Sequence, residues 1–442
     1  MPVTLDTLTA LLKRRGFIFP GSEIYGGLAN SWDYGPLGVE LKRNIRELWW
    51  KKFVHQRSDM VGIDPAVIMN PKVWEASRHV SEFSDPLVEC QKCHQRFRAD
   101  QINSVEGAWQ CENCGERNTN STPRQFNLLF RTTIGPVVDS AAEVYLRGEL
   151  AQAMFVDFPL VLKTTRVKVP FGIAAQGRCF RNEITPGNFI FRTREFDIME
   201  FEYFVHPSEW EKWFDYWREA MHEWIRELGV DSVRVHEHEI PPEERAHYSE
   251  RTIDFEYDYP FGRKELYGLA YRTDFDLKNH MESSGADMIY IDPESDEKYI
   301  PHVIEPTFGL DRTVLVVLLE AYHEETKNGT RRVCLKLPPT LAPYQVAVFP
   351  LVRNKPELIQ RARDIYDSLK KEFRVAFDDR GNIGKRYFSQ DEIGTPYCAT
   401  VDHQTLEDRT VTIRDRDTTA QERIAIDSVV PYITEKSKRP AS

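Results

Sequence analysis

The sequence has no apolar run that approaches the ~18 residues needed to span a bilayer, no low-complexity tract and no internal repeat. These absences exclude a helical membrane protein and a repeat architecture. The first 16 residues form an amphipathic pattern but lack the apolar segment and the small-residue cleavage site of a secretory signal peptide. We therefore expect a globular, cytoplasmic protein with no membrane partner.

At 442 residues, the chain is too long for one compact core, and we expect two or three domains. Its 41% hydrophobic and 12% aromatic content is that of an ordinary globular protein. The net charge of −11 is unevenly distributed, since Val235–Glu305 holds 18 acidic and 7 basic residues, whereas Arg353–Phe388 holds 6 acidic and 10 basic residues. The basic stretch is available for phosphate contacts; the alternative is that both stretches are solvated faces.

Cysteine is rare, and four of the seven cysteines form two Cys-x-x-Cys pairs, Cys90 with Cys93 and Cys111 with Cys114, separated by 17 residues. This spacing is typical of two zinc knuckles that place four thiolates around one tetrahedral ion. Four cysteine ligands leave no position for water, so we predict a structural Zn²⁺ that stabilises the local fold. Disulfides are the alternative, which a cytoplasmic location disfavours. The other cysteines lie in apolar sequence and are interpreted as core residues: Cys179, Cys334 and Cys398.

The most informative charged residues lie in a predicted β-hairpin. A first strand is expected over Gly177–Glu183, a turn at Pro186-Gly187 and a return strand within Phe189–Phe204. Because side chains alternate along a strand, one face of the hairpin combines guanidinium, carboxylate and aromatic groups. Such a face can bind a phosphate, an exocyclic amine and a base, as ATP requires. Its residues are Arg181 and Glu183 on the first strand and Arg194, Phe196, Ile198 and Glu200 on the second, while Met199, Phe201 and Tyr203 face the core.

A third segment, Glu305–Arg312, supplies the other half of a nucleotide site. An apolar strand ends near Pro306, a glycine follows at Gly309, and Arg312 falls in the first turn of the apolar helix Thr313–Leu319. Backbone N–H groups and the positive end of the helix dipole favour an anion there. A single charged residue is more often a solvated or ion-paired surface group, but the three segments together indicate ATP binding.

These three segments resemble motifs of a known enzyme class. Arg-x-Glu at 181–183, Arg-x-x-x-Phe at 192–196 and Gly-x-x-Arg at 309–312 are similar to motifs 2 and 3 of the class II aminoacyl-tRNA synthetases. Further runs resemble the homodimeric (α2-type) glycyl-tRNA synthetases: Trp32–Gly38, Phe83–Pro86, Pro123–Leu128, Lys264–Leu266 and Asn382–Tyr387. Nearly the whole chain is covered, and so many matches in order are more specific than any one motif.

The resemblance implies an α+β fold with two domains. We expect a class II catalytic domain over residues 1–338, with an antiparallel sheet flanked by helices. It would carry a zinc-ribbon-like insertion at 88–118 and a helical, acidic insertion at about 205–260. A C-terminal α/β anticodon-binding domain is expected over residues 341–442, where strands that alternate with helices predict a mostly parallel sheet.

Several further elements are predicted from the sequence pattern. A helix at Val39–Gln56 and a strand at Val61–Met69 fit the position of motif 1, which builds the homodimer interface in this class. A helix is expected at Ser140–Phe155, and the tryptophan-rich helix Ser208–Leu228 is expected to pack its apolar face in the core. The loop Gly381–Arg386 is assigned to tRNA contact.

The implied reaction is the ATP-dependent attachment of glycine to tRNA(Gly) through a glycyl-adenylate, which requires no side-chain nucleophile. Catalysis then consists of positioning and charge stabilisation, so Arg181 and Arg312 are the expected catalytic residues. Arg181 would stabilise charge on the α-phosphate, and Arg312 would lie on the opposite side of the phosphates. Glu183 would accept from the adenine amine, Phe196 would stack on the ring, and Glu265 is the candidate ligand for Mg²⁺.

The resemblance assigns residues to both substrates, with Arg192 and Arg194 at the β- and γ-phosphates. The ATP-binding set is Arg181, Asn182, Glu183, Phe191, Arg192, Thr193, Arg194, Glu195, Phe196, Glu265, Leu266, Gly309, Leu310, Asp311 and Arg312. The glycine-binding set is Arg98, Glu149, Phe196, Asp197, Ile198, Met199, Glu200, Arg272, Glu305, Pro306, Thr307, Phe308 and Gly309. Its carboxylates suit an ammonium group, and a larger amino acid would be excluded by lack of room, so no editing domain is demanded.

Two departures from the family pattern line the expected glycine pocket. The usual Arg-Pro-Glu-Thr-Ala-Gln run has Gly148 and Leu150 at its second and fourth positions, and Thr307 replaces the usual serine. A synthetase for another small amino acid is therefore an alternative. A non-catalytic, synthetase-like nucleic-acid-binding subunit is a second alternative, which the retained charges at Arg181, Glu183, Glu305 and Arg312 disfavour.

Overall fold

The computed structural model describes residues 3–99, 102, 104–105, 108–119, 122–136, 143–327 and 329–437. Helices before residue 170 are α1 (Leu5–Arg15), α2 (Pro36–Trp50), α3 (Pro71–Ala76), α4 (His79–Glu82) and α5 (Ala151–Thr164). Strands there are β1 (Ile18–Pro20), β2 (Trp32–Tyr34), β3 (Met60–Gly62), β4 (Ser84–Glu89), β5 (Arg96–Arg98), β6 (Ser104–Val105), β7 (Ala108–Gln110), β8 (Arg117–Thr119), β9 (Arg124–Asn127), β10 (Phe130–Thr133) and β11 (Glu143–Leu146).

The middle of the chain supplies most of the central sheet. Its helices are α6 (Trp210–Glu227), α7 (Phe275–Ser284) and α8 (Leu310–Ala321). Its strands are β12 (Phe171–Phe180), β13 (Glu195–Val205), β14 (Val235–Glu239), β15 (Arg251–Tyr259), β16 (Gly262–Thr273), β17 (Tyr290–Ile291), β18 (Lys298–Tyr299), β19 (His302–Gly309), β20 (Tyr322–Lys327) and β21 (Thr330–Leu335).

Seven strands of the described chain form the central sheet, in the order β14-β15-β16-β19-β13-β12-β3. Adjacent strands are antiparallel, as expected, except that β3 joins β12 in parallel at one edge. Helices cover both faces. On β13, Phe201 and Tyr203 pack in a core with residues of α2, α6 and α8, whereas Ile198 and Phe204 pack with residues of α5 and α7. The alternation predicted for this strand is therefore confirmed.

The segment expected to be an insertion, about 205–260, contributes directly to this sheet. It contains helix α6 followed by β14 and β15, which extend the sheet beyond β16. Helix α6 packs its apolar face in the core, since Phe214, Trp217 and Trp224 are fully buried. The prediction of a packed tryptophan-rich face is confirmed.

The predicted hairpin strands are too long at their turn ends. β12 ends at Phe180, so that Arg181 and Glu183 lie outside the ladder, and β13 begins only at Glu195. The chain leaves the ladder because the Asn182 N–H donates to the Leu128 carbonyl at 2.8 Å. A short 3₁₀ turn at Phe189–Phe191, with three buried side chains, then returns the chain to β13.

Three other boundaries differ from expectation. Helix α2 begins at Pro36, ends at Trp50 and continues as a π-helical turn over Lys51–His55, and β3 covers only Met60–Gly62, because Pro65 lacks an N–H for a ladder. The predicted helix 140–155 is wrong at its start, where residues 140–142 lie outside the described ranges and β11 pairs with β10. Helix α5 begins at Ala151, because the Leu150 N–H donates to the Glu200 carboxylate at 2.6 Å.

The C-terminal domain is a second α/β unit with its own core. Its elements are β22 (Val346–Pro350), α9 (Pro356–Leu369), β23 (Val375–Phe377), α10 (Ile383–Asp391), β24 (Tyr397–Val401), α11 (His403–Asp408), β25 (Thr410–Asp415), β26 (Gln421–Ala425) and α12 (Val429–Ser437). The order is β23-β22-β24-β25-β26, with two parallel and two antiparallel pairs. The expectation of a mostly parallel sheet is wrong, because a short turn joins β25 to β26 and allows only antiparallel pairing.

Candidate active site

The cleft forms where β13 lies beside the junction of β19 and α8. Ile198 is opposite Gly309 and Glu200 is opposite Thr307 in the antiparallel register. The turn that starts α8 therefore lies next to the first residues of β13. The hairpin segment and the glycine-preceded helix, predicted from distant parts of the sequence, lie around one cleft.

Arg181 lies at the centre of this cleft between two aromatic rings. Its Cζ atom is 5.1 Å from the ring centroid of Phe83 and 5.5 Å from that of Phe196. Its Nε atom donates to the Gly148 carbonyl at 3.2 Å. Among the described residues Arg181 has no acidic ion-pair partner, so the rings and a carbonyl hold a cation whose charge is available to an anion.

Arg312 enters the cleft from the first turn of α8. Its Cζ atom lies 4.5 Å from the ring centroid of Phe191, and its Nη1 atom contacts the Glu265 carboxylate at 3.0 Å. Arg312 holds the pKa of Glu265 below its usual value, although burial opposes this. Arg192 lies nearby, and burial, together with Arg312 and Arg98, lowers its pKa. The close approach of these cations is the arrangement expected where a polyanion binds.

Most of the expected ATP residues line the cleft, and a few do not. The lining contains Arg181, Glu183, Phe191, Arg192, Thr193, Phe196, Glu265, Leu266, Gly309, Asp311 and Arg312. The side chains of Glu195 and Leu310 are directed elsewhere, since Glu195 pairs with Arg178 and Leu310 is fully buried in the core. Arg194 contacts the Ala29 carbonyl at 3.5 Å, and Asn182 acts through its backbone N–H.

A second pocket continues from this cleft and is lined by carboxylates. It shares Arg181, Ile198, Glu265 and Thr307 with the first. Its further lining residues include Glu149, Glu200, Tyr248, Asp254 and Glu305. The carboxylates expected around glycine are therefore brought together, on β13, on β19 and before α5.

A buried arginine organises these carboxylates. Arg272 is fully buried, and it contacts Glu305 at 2.9 Å, Asp276 at 2.8 Å and Glu149 at 3.7 Å. His79 also lies 3.3 Å from Glu149. Arg272 therefore anchors the pocket from behind and does not line it.

The carboxylates of this pocket differ in their pKa values. Burial opposes ionisation of Glu149, but His79 and Arg272 outweigh it and hold its pKa well below the usual range. Burial, together with the charges of Glu305 and Glu149, raises the pKa of Glu200 to about 8. Burial also raises the pKa of Glu305, against the effect of Arg272. The ionised Glu149 therefore lies beside carboxyl groups with raised pKa values, Glu200 and Glu305. A positive charge in the pocket would be attracted by the first and would favour ionisation of the others.

Several expected glycine residues do not present side chains to this pocket. Met199 and Phe308 are buried in the core on the other face of the sheet, and Pro306 shares that face by alternation. Asp197 lines the ATP cleft but contacts Lys42 at 2.5 Å. Arg98 pairs with Asp85 at 2.8 Å. The side chains of Phe196, Ile198 and Thr307 do line the composite cleft.

Two residues in or near the pocket were missed by the sequence analysis. Glu202 is fully buried, and neither of its carboxylate oxygens has a hydrogen-bond partner among the described residues. The sequence could have indicated Glu202, because it follows Glu200 by two residues and therefore lies on the same face of the strand. Tyr248 covers Arg272, with a ring centroid 3.7 Å from the guanidinium carbon; nothing in its local sequence indicates this contact.

The four paired cysteines form a compact cluster. The Sγ atoms of Cys90 and Cys114 are 3.6 Å apart, as are those of Cys93 and Cys111, and all four lie within 4.8 Å of one another. Sulfur atoms at tetrahedral positions ~2.3 Å from Zn²⁺ would be about 3.8 Å apart. The cluster therefore fits a zinc ion, and all seven cysteines are free of disulfides.

Comparisons with known proteins agree with this architecture. Residues 139–322 match the tRNA synthetase class II core domain (G, H, P, S and T), and residues 345–436 match the anticodon binding domain. A solved prolyl-tRNA synthetase from Cryptosporidium parvum superposes with a TM-score of 0.67 at 16% identity, over 98% of this chain and 76% of that one. The fold is that of a class II aminoacyl-tRNA synthetase with a C-terminal anticodon-binding domain.

The sequence relatives are more specific. The chain is 51% identical to a glycine–tRNA ligase of Caldanaerobacter subterraneus subsp. tengcongensis, over 99% of both chains. It is 50% identical to that of Clostridium tetani, over 98% of both, and 49% identical to that of Geobacillus kaustophilus, over 99% of both. The chain belongs to the glycine–tRNA ligase family.

No helix in the described ranges is both long enough and apolar enough to cross a membrane.

Proposed function

We propose that this protein uses ATP to attach glycine to tRNA(Gly) in the cytoplasm, through a glycyl-adenylate. The observation that carries the proposal is the junction of a cleft that contains three arginines with a pocket lined mainly by carboxylates, and Arg181 lines both. A triphosphate in the first and an ammonium group in the second would bring the α-phosphate and the glycine carboxylate together beside Arg181. Membership of the family supports the choice of glycine.

In the ATP cleft, the chain positions an existing nucleophile and does not supply one. The glycine carboxylate attacks the α-phosphate, and Arg181 stabilises the charge that develops there. Phe196 supplies a ring for the adenine, Glu183 an acceptor for its amine, and Arg312 a cation on the other side of the phosphates. Glu265 now pairs with Arg312, and it would hold Mg²⁺, which neutralises part of the triphosphate charge.

In the amino-acid pocket, the chain supplies carboxylates for the glycine ammonium group. Glu149 remains ionised beside His79 and Arg272. Glu200 keeps one oxygen on the Leu150 N–H, and the Thr307 hydroxyl approaches the other at 3.4 Å. Thr307 in place of serine therefore retains the hydroxyl contact. This supports glycine over the alternative of a different small amino acid.

We further propose that the cysteine cluster binds one structural Zn²⁺. Metal analysis of the purified protein is expected to find about one zinc per chain. A variant with both Cys93→Ser and Cys114→Ser is expected to lose the zinc. Cys334→Ser, which changes a buried cysteine outside the cluster, is expected to keep it. A wild-type protein without zinc would contradict the proposal.

The C-terminal domain is proposed to bind the tRNA anticodon region, and the chain to act as a homodimer through α2 and β3. The segment 381–386 includes the first turn of α10; in it Arg386 is buried and donates to the Gly381 carbonyl at 2.9 Å, so it fixes the turn that precedes the helix. The exposed cations Arg380 and Lys385 are the candidates for phosphate contact. Sedimentation analysis is expected to give twice the chain mass of 51.6 kDa.

ATP–pyrophosphate exchange with a panel of amino acids tests the proposed activity. Exchange with glycine alone, followed by glycylation of tRNA(Gly), is the expected result. Exchange with alanine or serine would instead identify a synthetase for another small amino acid. Absence of exchange with every amino acid would favour a non-catalytic nucleic-acid-binding subunit.

A further inference from the structure

Lys42 on helix α2 is a buried lysine outside every set of residues assigned to ATP or glycine. Only 8% of its surface is exposed. A lysine is almost never buried at this level unless it is paired. Its ammonium nitrogen contacts Asp197 Oδ2 at 2.5 Å and Asp311 Oδ1 at 2.7 Å, and it lies 4.1 Å from the ring centroid of Tyr34.

The two aspartates are neighbours of two ATP-cleft residues. Asp197 follows Phe196, whose ring borders the cleft, and Asp311 precedes Arg312. The aspartates are also joined directly, because Asp311 Oδ2 accepts the Asp197 N–H at 2.7 Å. The Tyr34 hydroxyl adds a further hydrogen bond to Asp311 Oδ1 at 2.5 Å.

This arrangement joins three elements at one point. Lys42 brings α2 to the start of β13 and to the first turn of α8. The backbone of β13 is also joined to α8, because its Asp197 N–H donates to Asp311. Without the ammonium group, two carboxylates that are less than a tenth exposed would be left close together, with the half-exposed Arg178, 3.6 Å from Asp197, as the remaining cation in contact with either of them among the described residues. Their repulsion would separate the start of β13 from the start of α8.

We propose that Lys42 is a positioning residue for ATP, which sets the spacing between Phe196 and Arg312 without contacting the nucleotide. This inference rests on the proposed ATP site. It assigns Lys42 no part in the amino-acid pocket, because that pocket is anchored separately by Arg272 and its contacts with Glu305 and Asp276.

Helix α2 offers a matched control two residues away. Asn44 is also buried, at 6% exposure, and also polar, but it donates to the carbonyls of Leu341 and Ala342 at 3.0 and 3.1 Å. Asn44→Ala therefore removes a buried polar contact of α2 on the side of the C-terminal domain. A second control is Arg226→Met, which changes an exposed cation of helix α6, outside the proposed dimer interface.

The test is ATP–pyrophosphate exchange, with separate KM values for ATP and glycine. Lys42→Met is expected to lower kcat/KM for ATP by up to about 100-fold, chiefly through a higher KM, since a misplacement of about 1 Å can cost about 10²-fold. The KM for glycine should change by less than about 2-fold, and Lys42→Arg should recover most of the ATP affinity. Both control variants should leave the KM for ATP within about 2-fold of the wild type.

An unchanged KM for ATP in Lys42→Met, or an equal rise in both KM values, would overturn the proposal. If Lys42→Met does not fold, Lys42→Gln, which keeps a donor but no charge, is measured by the same criteria. If the wild type shows no exchange, the proposed activity has failed. Titration calorimetry with ATP then tests Lys42 independently, since weaker ATP binding by the variant than by Asn44→Ala still supports the positioning role and equal binding refutes it.

Discussion

The proposed ATP end and the proposed amino-acid end of the cleft differ in charge and in burial, since the first combines three arginines with four carboxylates and the second is lined mainly by carboxylates. At the ATP end, the side chains of Arg312 and Glu265 are 21% and 47% exposed. At the amino-acid end, the side chains of Glu149 and Glu305 are 6% and 7% exposed, and that of Arg272 is fully buried. The proposed ATP end would meet a large, highly charged ligand with accessible arginines, whereas the proposed amino-acid end would enclose a small ligand with buried carboxylates.

The difference in burial determines how each end is held together. Accessible cations remain hydrated and need little compensation, so aromatic rings and single carbonyls suffice to orient Arg181. Buried carboxylates repel one another and lose hydration, so they need a buried cation or a proton. We therefore expect substitutions at the ATP end to change the reaction rate, and substitutions at the amino-acid end to change pH dependence.

The largest effect is expected for Arg181→Ala. This variant removes the cation at the junction of the two ends, and exchange should fall by at least 10²-fold to 10³-fold, as for loss of a single charge-stabilising donor. The fold should be retained, because Arg181 makes no ion pair among the described residues. ATP–pyrophosphate exchange measures the loss of activity, and circular dichroism measures the retention of the fold.

The matched control is Arg178→Ala on the preceding strand. Arg178 is half exposed, pairs with Glu195 on the hairpin and lies 3.6 Å from Asp197, so it shares the charge and the local strand but does not itself line the cleft. Exchange in this variant should fall far less than in Arg181→Ala. Near-normal exchange in Arg181→Ala, or an equal loss in both variants, would reject the role of Arg181.

A smaller effect, in pH dependence, is expected for Glu200. Its pKa of about 8 means that the free protein holds this carboxyl mostly protonated at neutral pH, whereas the glycine ammonium group requires the ionised form. The KM for glycine should therefore fall by about 10-fold between pH 7 and pH 9. Glu200→Gln should abolish this dependence and raise the KM at pH 9 by about 10-fold or more.

The KM for ATP serves as the internal control for Glu200. It should change much less between pH 7 and pH 9, because the arginines of the ATP end stay charged over this range, and Asp254, whose pKa burial and the charge of Glu265 raise to about 8, lines the amino-acid pocket and not the ATP cleft. A glycine KM that keeps its pH dependence in Glu200→Gln would assign the titration to another group.

The two ends also differ in how far the sequence could predict them. Glu200 and Glu305 lie on strands whose alternation fixes their face, and the structure brings both to the pocket. Arg181 was expected on a strand but lies beyond its end, because a backbone bond from Asn182 to Leu128 draws the chain away. Such a bond depends on a loop 54 residues earlier in the sequence, and no local pattern encodes it.

Long-range pairs explain what the sequence analysis missed. Lys42 and Asp311 are separated by 269 positions, so Lys42 was included in the predicted helix Val39–Gln56 and Asp311 in the ATP set. The edge strand β14 and its neighbour β15 were likewise assigned to an insertion, since their acidic, alternating sequence does not indicate which sheet they join. Local periodicity predicts the face of a residue, whereas its partner depends on tertiary packing.

The smallest effect is expected for Glu202→Gln, and it concerns stability. Burial, and then the charge of Glu305, raises the pKa of Glu202 well above its usual value. The folded protein therefore binds this proton more tightly than the unfolded chain, so stability falls as pH rises above the unfolded value of ~4.3. Glutamine cannot ionise, so the variant should become progressively more stable than the wild type as pH increases.

The measurement is the free energy of unfolding of both proteins between pH 5 and pH 9. The difference should grow by about 1.4 kcal/mol per pH unit until the folded pKa is reached, while the KM for glycine stays within about 2-fold because Glu202 does not line the pocket. The pH dependence of this difference is the decisive result. An amide that is less well accommodated than a carboxylic acid would change the free energy of unfolding by the same amount at pH 5 and at pH 9. A difference that does not depend on pH would show that Glu202 is ionised in the folded protein. The amino-acid end would then hold Glu202 beside a cation, and the comparison of the two ends would have to include that contact.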